Sequence, residues 1–309
     1  MNDYLALFLG VFLAGLGGEL FVRGTVGLAR WARISAGIIG ATVAAFATSS
    51  PELSVAVNAA LTGVPTVSFG DVLGSNIINI ALILGLVLLI GPVRSTRREV
   101  KREYPAALLA PVAIGIVTVD GFLSRVDGII LLALFLAWLI AVTLEVRRQR
   151  GVAGEILGES RLGLAVLLSL GGLGLLIAAG RLIVFGATGI GESLGLSAFV
   201  IGAVIVAVGT SVPELATAVI SKLRGHEEVG LGTVYGSNIF NSLLILGIVA
   251  VISPFKLVWG EATMGLLIGI VTVAITLPTS DGIIQRWRGA VLLGLYLLYL
   301  AFTLARPGH

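Results

Sequence analysis

The chain contains no cysteine and only 2 histidines, and 12% of its 309 residues are charged. The lack of cysteine excludes disulfides and thiolate metal sites. A soluble domain carries roughly 25% charged residues, so this charge content and a mean hydropathy of +1.07 predict an integral membrane protein. The formal net charge is +3, but the basic residues lie in loops between apolar segments. We therefore expect the lipid bilayer, and no nucleic acid, as a partner.

We expect no removable signal peptide, because the N-terminus opens directly into a long apolar segment without a basic region or a cleavage site. A helix that crosses a bilayer needs roughly 20 mostly apolar residues. Ten segments meet this requirement and are called spans 1 to 10 below: about 4–29, 35–61, 67–91, 104–119, 126–146, 162–190, 196–221, 229–252, 262–278 and 288–305. The fold class predicted is all-α integral membrane, with ten transmembrane helices.

The sequence repeats itself at an offset of 162 residues. Residues 40–85 and 202–247 align without a gap, and about half of the aligned residues are identical. Each copy belongs to a unit of five spans, and because five is odd the second unit enters the membrane from the opposite side. This is an inverted-topology repeat, which is common in secondary transporters. We predict a first repeat over residues 1–150 and a second over 151–309.

Orientation in the membrane follows from the distribution of lysine and arginine. If both termini are outside, the inner loops hold fifteen of the 20 Lys and Arg residues and the outer loops hold three. Positively charged loops remain on the cytoplasmic side. We therefore expect a multi-pass protein of the cell membrane with both termini extracellular.

A hydroxyl-rich motif with a proline and a glutamate lies near the middle of spans 2 and 7. It reads Thr48-Ser49-Ser50-Pro51-Glu52 in the first repeat and Thr210-Ser211-Val212-Pro213-Glu214 in the second. A carboxylate at the bilayer midplane costs on the order of 3 kcal/mol unless it is paired or solvated, and neither span carries a nearby lysine or arginine. Glu52 and Glu214 therefore predict a cation site; the alternative is a protonated carboxyl bonded to a neighbouring helix.

A second motif follows in spans 3 and 8, as Gly74-Ser75-Asn76-Ile77-Ile78-Asn79 and Gly236-Ser237-Asn238-Ile239-Phe240-Asn241. The serine and the last asparagine of each copy are four residues apart and share a helix face. Such residues commonly hold membrane helices together by hydrogen bonds, but their recurrence after each buried glutamate favours a place in the site.

The prolines contribute oxygens as well, because each removes a backbone donor and is expected to free carbonyls such as those of Ala47 and Gly209. Carboxylates, carbonyls, hydroxyls and amides make an all-oxygen shell. Such a shell suits Ca²⁺, which takes about 6–8 oxygens, whereas the absence of imidazole and thiolate argues against zinc, copper and iron.

The two motifs together resemble the α-repeats of the sodium/calcium exchangers, in the calcium/cation antiporter superfamily and of prokaryotic type. The resemblance covers essentially the whole chain. It implies a secondary active antiporter, not an enzyme, that needs no cofactor and carries Na⁺ and Ca²⁺ as transported ions. It also implies that spans 2–5 and 7–10 form a rigid core, and that spans 1 and 6 slide across it to switch access.

The resemblance further implies a set of ion ligands. Glu52 and Glu214 would serve both ions, together with backbone carbonyls of Ala45 and Ala207. The remaining implied ligands are the side chains of Thr48, Ser49, Ser75, Asn79, Thr210, Ser211, Ser237 and Asn241.

The sequence departs from the family pattern at three positions. Ala47 replaces a glycine, and Asn241 stands where potassium-dependent relatives carry aspartate, so the site has a formal charge of −2 and no reason to co-transport K⁺. Asp71 replaces an asparagine; it either draws cations into the outer vestibule or caps a helix. Separately, Glu19 and Arg23 are spaced i, i+4 in span 1 and are expected to neutralise each other.

Three other functions compete with Na⁺/Ca²⁺ exchange. The first is H⁺/Ca²⁺ exchange on the same fold; proton-coupled relatives usually carry an asparagine where this chain has hydroxyls, which favours Na⁺. A passive channel is disfavoured by the duplicated midplane site. An intramembrane hydrolase using Ser49 or Ser211 would need a base, and neither motif contains lysine or histidine. The oligomeric state is left open.

Overall fold

The computed structural model describes residues 2–63, 65–95, 102–152, 162–193, 207–257 and 259–304. Among these residues, five helices are apolar and long enough to cross a bilayer, and they coincide with spans 1, 3, 5, 6 and 8. Their bounds are Asp3–Ala32, Pro65–Ile90, Arg125–Val152, Leu162–Ser193 and Glu227–Ile252.

The other five spans are shorter or broken. Span 2 consists of Ala36–Thr48 and Ser50–Leu61, which meet at a bend of 44°. Spans 4, 9 and 10 are the helices Glu103–Val117, Trp259–Ile275 and Trp287–Leu304. Span 7 comprises Ala207–Thr210 and Val212–Leu223; residues 196–206, which we also assigned to it, lie outside the described residues. The prediction of an all-α membrane protein is confirmed, and these segments match the ten predicted spans.

The described part of the chain contains four two-residue strands, absent from our prediction, and their pairing shows how the repeats are related. They are β1 (Val93–Arg94), β2 (Phe122–Leu123), β3 (Phe255–Lys256) and β4 (Ile283–Ile284). The repeat equates β1 with β3 and β2 with β4, yet β1 pairs with β4 and β2 pairs with β3, both antiparallel. Each pair joins loops that inverted topology places on the same side of the membrane, so equivalent loops of the two repeats lie on opposite sides.

Spans 3 and 8 form the centre of the molecule. In their most apolar windows, 72% and 78% of the residues are buried, against 33%, 22% and 28% for spans 1, 5 and 6. The peripheral spans expose apolar side chains such as Phe8, Leu136 and Leu167, as lipid-facing helices do. The motif residues of spans 3 and 8 therefore lie in the protein interior.

Spans 1 and 6 pack against each other as a close antiparallel pair. A Cβ at Gly17 would lie 3.0 Å from the carbonyl oxygen of Gly172, and a Cβ at Gly172 would lie 2.8 Å from that of Gly17. Gly10 and Gly24, seven residues to either side of Gly17, meet span 6 equally closely. Small residues at this spacing let two membrane helices approach at backbone distance, which joins spans 1 and 6 as one unit.

Candidate cation-binding site

The two proline motifs have nearly identical backbone geometry. The helix of span 2 breaks at Ser49 (φ −85°, ψ 8°) and that of span 7 at Ser211 (φ −84°, ψ 8°). A new helix starts immediately after each break, with the proline in its first turn, and places Glu52 or Glu214 in that turn. Unpaired N–H groups and the helix dipole favour a negative charge at this position.

The carbonyl released by Pro51 does not behave as we expected. The Ala47 carbonyl, which would have paired with residue 51, accepts a hydrogen bond of 2.8 Å from Ser50 Oγ. The expectation that Pro51 leaves it free is therefore wrong. Valine occupies the equivalent position in the second repeat, and there the Gly209 carbonyl faces span 6, 2.8 Å from where a Cβ on Gly180 would lie.

The repeats interlock so that each glutamate-bearing helix contacts the asparagine-bearing segment of the other repeat. Span 3 is π-helical over Ile78–Leu84, which includes Asn79, and span 8 over Phe240–Ile245, which includes Asn241. The helix Val212–Leu223 packs against the first of these segments, and Ser50–Leu61 packs against the second. Single-turn π segments recur at functional sites, and here each asparagine-bearing segment contacts the helix that carries a glutamate of the other repeat.

Glu214 is hydrogen-bonded by both repeats. Its Oε1 atom accepts bonds from Ser49 Oγ at 3.0 Å and from Ser237 Oγ at 3.2 Å, and the Thr48 side chain lies beside the same carboxylate. All four side chains are buried, and Glu214 is 1% exposed. The hydroxyls of the first motif therefore hold the carboxylate of the second.

Glu52 is as deeply buried, at 2% exposure, but is bonded differently. Its Oε2 atom has no hydrogen-bond partner among the described residues. The Glu52 carboxylate interacts electrostatically with those of Glu214 and Asp71. Every ion pair in the described part of the chain involves other acidic residues, so neither site glutamate has a lysine or arginine counter-ion there.

Six oxygen atoms at the predicted site are buried and, within the described ranges, unpaired. They are Glu52 Oε2, Glu214 Oε2, Ser75 Oγ, Ser211 Oγ, Asn79 Oδ1 and Asn241 Oδ1. A buried polar atom without a partner is strongly unfavourable, and two carboxylate oxygens with four hydroxyl and amide oxygens match the oxygen ligands of a hard cation. The arrangement suits a bound cation, whose positive charge would neutralise the two carboxylates.

The remaining predicted ligands lie at the same breaks. Thr210 is half-buried, and the carbonyl of Ala45 accepts bonds from the Ser49 amide at 2.9 Å and from Thr48 Oγ1 at 3.3 Å. Ala207 begins the described part of span 7. The roles of the Ala45 and Ala207 carbonyls stay predictions.

Asp71 is not a helix cap. Its helix starts at Pro65 and has no acidic residue in its first turn, so the capping interpretation is wrong. Asp71 lies one turn before Ser75, and its Oδ2 atom is buried without a partner among the described residues. The equivalent residue, Thr233, has its hydroxyl bonded to the Val229 carbonyl at 2.8 Å. The third acidic group therefore belongs to only one half of the site.

A network of buried amides behind the site was missed by the sequence analysis. Asn79 Nδ2 donates to Asn238 Oδ1 at 3.1 Å, Asn238 Nδ2 donates to the Asn76 carbonyl at 3.1 Å, and Asn76 Nδ2 donates to Ser242 Oγ at 2.7 Å. The signal for it was present, because the middle asparagine of the second motif is itself repeated at the offset of 162 residues.

Comparison with known proteins agrees with this geometry. The family model described as sodium/calcium exchanger protein matches the chain twice, over residues 3–144 and 164–305. The chain belongs to the sodium/calcium exchanger family. The two matches correspond to the two repeats, and this family and fold are those of a multi-pass membrane ion exchanger rather than a catalytic enzyme.

Several individual proteins are similar to this exchanger over most of its length. The inner membrane protein YrbG of Escherichia coli is 37% identical over 80% of this chain and 79% of its own. The sodium/calcium exchanger MaX1 of Methanosarcina acetivorans is 26% identical over 96% of this chain and 97% of its own. A solved structure of the sodium-calcium exchanger NCX_Mj superposes with a TM-score of 0.83 at 29% identity, covering 99% of both chains.

Proposed function

We propose that this exchanger transports Ca²⁺ in exchange for Na⁺ by alternating access. One observation carries the proposal: two buried glutamates from opposite repeats interact with each other, each has an unpaired carboxylate oxygen, and neither has a positively charged partner in the described residues. Burying uncompensated carboxylates in this way is strongly unfavourable. The free energy is recovered when a cation binds, so the site favours a loaded state.

The proposed ligands are Glu52 and Glu214, with neutral oxygens from the hydroxyls and amides of both motifs and the carbonyls of Ala45 and Ala207. The formal charge of these two carboxylates balances one Ca²⁺ or two Na⁺. The same oxygens therefore serve both ions in turn, which is what an exchanger requires. Residues 1–150 and 151–309 each supply half of this set.

The hydroxyl groups favour Na⁺ as the coupling ion. Ser49 and Ser237 place neutral oxygens directly on the carboxylate of Glu214, and Na⁺ is a hard cation that neutral oxygens coordinate. Similarity to proteins named as sodium/calcium exchangers supports the same ion. The alternative is H⁺/Ca²⁺ exchange, in which the two glutamates would carry protons.

The packing of spans 1 and 6 supports alternating access, because this pair does not follow the pseudo-symmetry of the core. A Cβ at Gly18 of span 1 would lie 3.3 Å from the Cβ of Ala216 in span 7, whereas the equivalent Gly180 of span 6 also meets span 7, at Gly209. Both spans therefore contact span 7 of the core. Because the core is pseudo-symmetric, span 2 offers the pair an equivalent position. We propose that moving between these positions opens the site alternately, in a cell membrane with both termini outside.

Transport assays in proteoliposomes test the proposal. Purified protein is reconstituted, and uptake of radiolabelled Ca²⁺ is measured with an outward Na⁺ gradient, with a proton gradient, and with neither. Glu52→Gln and Glu214→Gln each remove one site charge. Asp281→Asn, an exposed acidic residue in the loop between spans 9 and 10, removes the same charge outside the site.

Uptake driven by the Na⁺ gradient, lost in both glutamine variants and retained in Asp281→Asn, is the expected result. Uptake driven only by protons would assign the chain to the alternative. Full activity of Glu214→Gln would overturn the site, and the absence of coupled uptake under all gradients would overturn Ca²⁺ exchange itself.

A further inference from the structure

We propose that Asn238 is a positioning residue for cation binding: it holds the Asn79 amide so that Asn79 presents its oxygen, and not its nitrogen, to the cation. This inference rests on the proposed function of the site. It concerns the middle asparagine of the second motif, whose side chain is not among the ligands assigned above.

The geometry of the Asn79 amide is the first observation. An amide has two donors on its nitrogen and an acceptor oxygen on the other branch, so its environment decides which end faces a neighbour. Asn79 Nδ2 donates to Asn238 Oδ1 at 3.1 Å. Asn79 Oδ1 is left as a buried atom with no partner among the described residues. A bond that holds the nitrogen away from the site therefore leaves the oxygen for the cation.

Asn238 is itself fixed in this orientation. Its Nδ2 donates to the backbone carbonyl of Asn76 at 3.1 Å, which forces its Oδ1 to be the end that meets Asn79. The side chains of Asn79 and Asn238 are 1% and 3% exposed, so water does not compete for these bonds. The Asn76 carbonyl of span 3 thus orients Asn238 of span 8, and Asn238 in turn orients Asn79 of span 3.

The contact equivalent to Asn79–Asn238 is not formed in the other half of the site. Substituting Asn238 therefore tests one of the two amide ligands alone. By the repeat, Asn241 should donate to Asn76, yet Asn241 Nδ2, Asn241 Oδ1 and Asn76 Oδ1 are all buried and unpaired within the described residues. Asn76 Nδ2 instead bonds Ser242 Oγ at 2.7 Å. The residue equivalent to Ser242 is Ile80, which has no hydroxyl to engage Asn238 in the same way.

The two amides of the site are therefore unequal. Asn79 is held as a fixed oxygen ligand, while Asn241 has no orienting bond among the described residues and is set by the cation. Partners that orient metal ligands typically change metal affinity about 10- to 100-fold when removed. Loss of the Asn238 acceptor should accordingly weaken Ca²⁺ binding by at least about tenfold, because the Asn79 amide can then turn its N–H groups toward the cation.

The test is Ca²⁺ binding to the purified protein in detergent, measured by calorimetry and by Ca²⁺-dependent thermal stabilisation. Asn238→Leu removes the acceptor at similar volume. If the leucine variant does not fold, Asn238→Ala is used in its place. Asn238→Asp, in its protonated form, keeps an acceptor for Asn79 Nδ2 and a donor for the Asn76 carbonyl without adding a charge. Ser242→Ala is the matched control, because it removes one buried bond of the same network without touching Asn79.

We expect the Ca²⁺ Kd to rise about tenfold in Asn238→Leu and to stay close to the wild-type value in Asn238→Asp and Ser242→Ala. In an Asn79→Ala background, Asn238→Leu should have no further effect, since it acts only through that amide. Wild-type affinity in Asn238→Leu, or an additive effect in the double variant, overturns the proposal. If the wild-type protein binds no Ca²⁺, the proposed function fails instead, and the two failures are distinguishable.

Discussion

Glu19 of span 1 and Arg224 at the end of span 7 form an ion pair, with 2.7 Å between Glu19 Oε2 and Arg224 Nε. The equivalent residues in the repeat are Arg181 and Thr62, which do not have opposite charges and cannot form an ion pair. The Thr62 hydroxyl bonds the carbonyls of Asn58 and Ala59 in its own helix, at 2.9 and 3.2 Å. Among the described residues, the pair formed by spans 1 and 6 is thus tied to the core by an ion pair at Glu19 and by none at the equivalent Arg181.

The contact between spans 1 and 7 can be trapped. A Cβ at Gly18 would lie 3.3 Å from the Cβ of Ala216, near the spacing of about 3.5–4.5 Å in disulfides, and the chain has no native cysteine. We expect Gly18→Cys/Ala216→Cys to cross-link on oxidation and to lose Ca²⁺ transport, with recovery on reduction. Each single cysteine variant, oxidised in parallel, is the control. Normal transport by the fully cross-linked protein would show that span 1 does not move.

The ion pair at Glu19 should bias the protein toward the packing seen here. Exposed ion pairs contribute about 0.2–1 kcal/mol, and Arg224 is 55% exposed, so a small effect is expected. Adding Glu19→Gln to the cysteine pair should slow cross-linking by about two- to fivefold, timed by gel shift during oxidation. Thr62→Ala, at the position equivalent to Arg224, should leave the rate unchanged. An unaltered rate with Glu19→Gln would mean that the ion pair does not set the equilibrium.

Glu52→Gln should make the ion-free protein more stable while removing its response to Ca²⁺. The substitution ends the repulsion between buried carboxylates, and relief of about 1 kcal/mol raises the Tm of a chain of this size by roughly 2–4 °C. The measurement is thermal unfolding in detergent with and without Ca²⁺, with Asp281→Asn as the reference. A lower Tm for ion-free Glu52→Gln would indicate that the protein itself satisfies the Glu52 charge.

Asp71→Asn should weaken Ca²⁺ uptake through KM rather than through the maximal rate. Its carboxylate interacts with that of Glu52 and adds negative potential on one side of the site. Loss of a nearby unit charge, worth about 1.4 kcal/mol, corresponds to on the order of a tenfold rise in KM. Thr233→Val removes the polar group at the equivalent position and should leave KM unchanged. An unchanged KM in Asp71→Asn would remove this residue from the ion path.

Local spacing predicted some contacts and missed others that involve the same residue. The i, i+4 spacing of Glu19 and Arg23 predicts an ion pair, which is confirmed at 2.5 Å. The second partner, Arg224, lies 205 residues away in sequence, and no helical periodicity relates the two. The π segments were missed as well, because Ile78–Leu84 is composed of residues that suit an ordinary apolar helix.

The sequence alone determined the architecture and predicted the chemistry of the site. Span length follows from the thickness of the bilayer, inverted topology from an odd number of duplicated spans, and the oxygen-rich site from glutamates, hydroxyls and amides repeated at one offset. Only the tertiary structure decided that Ser49 bonds Glu214 while the equivalent Ser211 leaves its hydroxyl unpaired among the described residues. The reason is physical: residue type and periodicity are local, whereas hydrogen-bond partners across the pseudo-symmetry depend on how distant spans pack.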